Sequence, residues 1–169
     1  MLRRKPFFKS HGEKMAEINR IVQQMQAAFN GKAWHGPSVQ EILAPVNAAQ
    51  AAARPIANAH SIWEIVLHIS AWHKFVMKRL AGEEVFDVPV EEDWPRVKDT
   101  SAAAWKSALQ ALEQSHRDLC AATARLQESD LSKTVRSSDA DHSVYVLLHG
   151  VIQHDLYHAG QIALLRKAA

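Results

Sequence analysis

Apolar residues recur every three or four positions along most of the chain, which predicts long helices rather than strands. From about Gly12 to Asn30 the stripe is Met15, Ile18, Val22, Met25 and Phe29, with Glu17, Asn19, Arg20 and Gln24 elsewhere. Asn30-Gly31 is a common helix ending. Ser38, with Glu41 three residues on, is a capping box for a short helix through Leu43 that stops near Pro45. Ala48 to Ala53 predicts another turn or two, up to Pro55. Ser61 and Glu64 cap a second long helix running to Leu80 and ending at Ala81-Gly82. Its stripe is Ile65, Ile69, Trp72, Val76 and Leu80, flanked by Phe75. Glu83 to Lys98, with Pro89 and Pro95, reads as a loop whose Glu91-Glu92-Asp93 run is solvated. A third long helix starts at Thr100 or Ser101 and continues to about Gln127 on Trp105, Ala108, Leu109, Leu112, Leu119 and Leu126. Ser129 to Asp141 is polar and turn-like. The last helix runs from His142 or Ser143 to Arg166, and its apolar positions nearly surround it, as for a helix with several neighbours.

No alternating strand pattern stands out, and no repeat of solenoid period. Four long helices joined by two longer crossings predict an all-α four-helix bundle. At 169 residues the whole chain, 1–169, fits one domain, with residues 1–10 expected to be frayed.

Composition adds exclusions. The apolar fraction of 47% suffices for a core. A formal charge of +2, with one small basic cluster at Arg3-Arg4-Lys5, argues against a nucleic-acid partner. No run of 18 apolar residues is present, so no membrane span is expected, and the start lacks the apolar core of a signal peptide. A single cysteine, Cys120, excludes an internal disulfide. The expected location is cytoplasmic.

The chemistry concentrates in the last helix. Among ten histidines, His154 and His158 form the one pair four residues apart. That spacing puts both imidazoles on one helix face, where they can reach a common metal ion. Leu147, Val151, His154, His158 and Leu165 form one stripe, so the pair continues an apolar face. Burying two imidazoles without partners is costly, and a shared cation would satisfy one nitrogen of each. A solvated patch or hydrogen-bonded core histidines are the alternatives.

A third ligand must come from another helix. His68 shares the buried face of the second long helix with Ile65 and Trp72. His116, between Leu112 and Leu119, also falls on an apolar stripe, and spacing alone prefers His68 only slightly. His73 lies about 140° around the helix from His68 and is expected to be more exposed. His60 is placed near a mouth of the bundle; His11, His35, His142 and His149 default to surface or capping roles. Glu64 is either a cap or a group near the metal. Asp155, an odd carboxylate among Leu148, Ile152, Ala159 and Ile162, either accepts the second N–H of a ligating histidine or makes a buried-edge salt bridge. Gly160 suggests close approach of a neighbouring helix. Tyr157 and Trp72 are core residues or pocket walls.

The segments Trp34-His35-Gly36-Pro37-Ser38, His60-Ser61-Ile62-Trp63-Glu64-Ile65-Val66-Leu67-His68-Ile69 and His149-Gly150-Val151-Ile152-Gln153-His154-Asp155-Leu156-Tyr157-His158-Ala159-Gly160-Gln161-Ile162 resemble the DinB/YfiT-like family, whose members are read as metalloenzymes. The resemblance covers nearly the whole chain. It implies a four-helix bundle holding a divalent metal ion, zinc or nickel first and iron or manganese next, on three histidines. Carried over, these are His68, His154 and His158. Relatives include enzymes using low-molecular-weight thiols, such as bacillithiol-type S-transferases and mycothiol-dependent isomerases. The resemblance therefore implies a small-molecule substrate and a thiol-dependent S-transferase. A metal-dependent hydrolase and a non-catalytic stress-response protein with a structural metal are the alternatives; in the last, a group such as His116 fills the remaining position. The loops at 31–60 and 83–99 are expected to shape a pocket, and the chain is expected to form a homodimer.

Overall fold

A computed structural model describes residues 15–168 apart from 137 and 139; the expected frayed start, 1–10, lies outside the described residues. In chain order the helices are α1 (Glu17–Phe29), α2 (Val39–Leu43), α3 (Ala48–Ala52), α4 (Ile62–Leu80), α5 (Val90–Asp93), α6 (Ala102–Ala124) and α7 (Val144–Ala168). A short 3₁₀ helix at Glu128–Ser132 and an antiparallel pair of two-residue strands, β1 (Thr134–Val135) and β2 (His142–Ser143), lie between α6 and α7. The architecture is all-α, as the periodicity predicts.

The starts follow from local chemistry. Ser38 and Ser61 each accept from the backbone N–H three residues on, while Glu41 and Glu64 return the bond to the cap N–H. Each box thus satisfies donors that a helix start leaves orphaned. Asn47 and Gln50 do the same for α3. Ser101 caps α6. Glu64 is therefore a capping residue; it also pairs with Arg54. The last helix begins at Val144, two residues later than the pattern suggests for its earliest start, because His142 and Ser143 pair with β1.

The long helices go round the bundle in the order α1, α6, α4, α7. One apolar cluster gathers Phe29, α2, the first half of α4, the first half of α6 and the end of α7, with Trp63, Trp105, Leu112 and Ile162 at its centre. The second gathers the rest of α1, Val76, Leu119, Cys120 and the first half of α7. Sharing of these ends makes α4 and α6 parallel, with α1 and α7 antiparallel to them. The parallel pair requires the long crossing at residues 81–101.

Between the two clusters lies a polar layer. On α4 it falls at His68 and His73, on α6 at Ser115 and His116, and on α7 at His154, Asp155 and His158. Apart from half-buried His154, all of these are buried. Polar groups placed there must find partners, and the partners define the site.

Candidate metal centre

The layer divides into two groups. In the first, His68 of α4 meets His154 and His158 of α7. His68 Nε2 lies 3.0 Å from His154 Nε2, and His158 Nε2 lies 3.2 Å from the same atom. The three nitrogens expected to converge therefore do. Two imidazole nitrogens bound to one divalent ion at 2.0–2.1 Å, at tetrahedral or octahedral angles, sit roughly 2.8–3.4 Å apart. The observed spacings fit that range.

Tautomers sharpen the fit. His68 Nδ1 donates to the Asp93 carbonyl oxygen at 2.7 Å, with Asp93 Oδ1 at 3.1 Å. His158 Nδ1 donates to Gln161 Oε1 at 2.7 Å. Both Nε2 atoms then carry lone pairs, and both point at His154 Nε2. That nitrogen has at most one hydrogen to offer two acceptors. A cation shared by all three removes the conflict, and outer acceptors on ligating imidazoles are what such sites require. His154 Nδ1 is buried without a hydrogen-bond partner among the described residues, and Asp155 Oδ1 is 3.8 Å away.

Protonation is disfavoured here. Burial pushes His158 down to about 4, reinforced by His154 and opposed by the bond to Gln161. Burial likewise lowers His68 against the pull of Asp93. Neutral imidazoles are the form a metal needs.

The surroundings differ from the solvated loop expected of residues 83–98. Glu91 and Glu92 are exposed, but Asp93 is half-buried, because α5 turns it inward to take His68 and the Trp72 Nε1–H, the latter at 2.8 Å. Trp94 then stacks on His68, ring centroids 3.9 Å apart at 7°, and also on His60. The crossing thus covers His68 and does not leave a mouth there. The adjoining cavity lies past His154 and Trp72, between α4 and α7, with Phe86 and Asp87 of the same crossing on its wall. Residues 31–60 do not line it.

The second group corrects the expectation for His73 and decides between the two alternatives for Asp155. His73 is fully buried, not exposed. Its Nε2 meets the Asp155 carboxylate oxygens at 3.0 and 3.1 Å, and its Nδ1 faces Ser115 Oγ at 3.0 Å. Asp155 therefore serves a histidine that is not one of the three convergent ones. Burial works to raise the Asp155 pKa, but the attraction of His73, its hydrogen bonds and the nearby His154 imidazole hold it at about 2. His116, the rival third ligand, belongs to this second group and stacks on Phe29 with centroids 3.9 Å apart. Gly160 is exposed, and among the described residues nothing lies within 4 Å of where a Cβ would stand and no helix approaches it. Tyr157 is 65% exposed and is neither core nor cavity wall.

Sequence reasoning did not single out Asp93, Trp94 or Gln161 as partners of the trio. Gln161 stands three residues after His158, a spacing at which two helical side chains touch, so that partner had a signal. Asp93 and Trp94 reach His68 from another element and had none.

The sequence profile of the DinB superfamily matches residues 34–162. The fold is similar to a crystal structure described as the conserved protein of locus from Enterococcus faecalis. That comparison gives a TM-score of 0.64 at 18% identity, covering 92% of this chain and 98% of that one. No curated protein matches the chain.

Proposed function

The chain belongs to the DinB superfamily, and from that premise and the geometry of the site we propose that it is a divalent-metal-dependent enzyme with His68, His154 and His158 as ligands. The observation that supports this most is the convergence of two lone-pair Nε2 atoms, held by Asp93 and Gln161, on a third imidazole nitrogen. A divalent cation supplies positive charge that acidifies a thiol or water brought beside it.

The chain's own residues do the rest. Asp93 and Gln161 orient two ligand rings. Trp94 shields the His68 face from water. Trp72, anchored by Asp93, lines the cavity beside His154. Three neutral ligands leave the charge of the cation undiminished, which suits activation of a nucleophile. Among such reactions we favour transfer to or from a low-molecular-weight thiol, with zinc or nickel as the metal. His116 stays with His73 and Asp155, which counts against a closed, purely structural site completed by that residue.

The test is a cobalt-loaded protein titrated with a small thiol. Direct coordination is expected to bring a new absorption band in the near-ultraviolet and shift the visible bands. A spectrum unmoved by thiol would remove the thiol-transfer reading.

A further inference from the structure

The cavity past His154 has a volume of about 330 Å³ and mainly apolar walls, including Trp72, Phe75, Val76, Leu147 and Val151. Its second end is set by Arg79. Trp72 and Arg79 both line it and are seven residues apart on α4, about 10 Å along the axis and on one face. Trp72 lies against His154, ring centroids 5.2 Å apart, so the trio adjoins one end and a guanidinium the other.

Arg79 is an unusual wall. It is 9% exposed, and its Nη2 is buried without a hydrogen-bond partner. It makes no ion pair among the described residues. Its guanidinium carbon sits 5.0 Å from the centroid of the Phe75 ring, a contact that offsets only part of what burial of a charge costs. Burial accordingly lowers its pKa, against the opposing charge of Asp87. Asp87, the other charged group on this wall, is exposed and accepts from Ser138 Oγ at 2.8 Å. Arg79 also borders a second cavity with Glu83 and Glu84, and its Nη2 is closed off from both, so it is the rest of the side chain that lines this slot. A fork-shaped donor without an ion pair beside an apolar slot matches a carboxylate on an apolar stem.

We propose that this cavity is the substrate site and takes a small organic acid: an apolar body about 10 Å long, by the helical rise between its two ends, with its carboxylate on Arg79 and its other end at the three histidines. The second half of that statement rests on the metal-enzyme reading above; the carboxylate half does not.

Calorimetric titration of the metal-free full chain with octanoate and with octanol tests it. Octanoate is expected to bind about tenfold or more tightly than octanol, the difference a charge-assisted hydrogen bond makes. Arg79→Gln should erase the preference and leave octanol unchanged. Equal binding of the two probes to the wild-type chain would overturn the proposal without any variant. So would a preference that survives Arg79→Gln. Val146→Trp, at the exposed rim of the cavity, should weaken both probes; unaltered octanoate binding there would place the acid elsewhere and overturn the proposal. In the cobalt-loaded chain, ω-mercaptooctanoate should shift the spectrum at lower concentration than octanethiol, and equal potency would overturn the link between the two ends. A spectrum indifferent to both thiols, with the octanoate preference intact, removes the thiol-transfer reading and leaves the carboxylate site standing.

Discussion

His73 Nε2 lies 3.0 Å from Asp155 Oδ2 in the interior of the bundle, and Asp155 is the residue after His154. Consecutive residues of α7 therefore serve different groups: His154 joins the three convergent imidazoles, and Asp155 ties α7 to α4 beside them. Asp155 is 4% exposed, so its carboxylate depends on His73 for compensation.

Replacing His73 with Leu should destabilise the fold by about 3–5 kcal/mol, the usual consequence of leaving a buried charge without its partner. The double variant His73→Leu, Asp155→Leu should recover most of that loss. Urea denaturation of the three proteins checks both statements. A single variant as stable as the wild type would show that the pair carries little.

Acid should weaken the metal-free fold in two windows. Burial holds His116 at about 4 against an ordinary 6.5. Above pH 6.5 it is neutral whether the chain is folded or not, so it adds no pH dependence. As pH falls from 6.5 towards 4 the unfolded chain takes the proton first, and stability declines by about 3 kcal/mol from this residue. Asp155 is depressed instead, from 3.8 to about 2, so its contribution is complete above 3.8 and lost as pH falls towards 2. His116→Gln should flatten the upper window relative to the wild type and leave the lower one unchanged. Identical pH profiles would contradict the placement of His116 as a buried neutral imidazole.

In the proposed site, Asp93 supports the ligand His68 and the neighbouring Trp72. Asp93→Ala keeps the main-chain acceptor but removes the carboxylate that holds Trp72 and flanks His68 Nδ1. Metal affinity should drop about tenfold to a hundredfold, the range for loss of an outer partner, while stoichiometry is retained. Competition against a chelator gives the affinity. Full affinity in the variant would mean that the carbonyl alone orients His68.

Glu64 is the counter-example. Its partners are the Ser61 cap and Arg54. Glu64→Ala should cost about 1 kcal/mol of stability, as capping losses do, and leave metal uptake unaltered. Loss of metal in that variant would return Glu64 to the site.

The four long helices were legible from their apolar stripes, and the Ser38 and Ser61 capping boxes because each is encoded within one turn of chain. His154 and His158 were legible from their spacing on one helix, whereas the apolar face of His68 set it only slightly ahead of His116 and the family resemblance selected it. His73 was misjudged because its position was measured from a single stripe, whereas α4 is packed on by α3, α6 and α7 and buries more than one side. Asp93 was misjudged because an acidic run reads as solvated. Only the return of the crossing onto His68, 25 residues earlier in the chain, turns it inward. The paired residues before Val144 were missed because two-residue strands carry no periodicity.

Three histidines holding one cation are the centre of the proposed site, and metal uptake by tag-free protein measures that directly. Equilibrium dialysis against zinc or cobalt, followed by elemental analysis, should give one ion per chain for the wild type and for His116→Ala. His68→Ala, His154→Ala and His158→Ala should each lose the ion under a competing chelator while keeping their helical circular dichroism. A wild-type chain that takes up no ion, or a His116→Ala variant that alone loses it, would contradict the account.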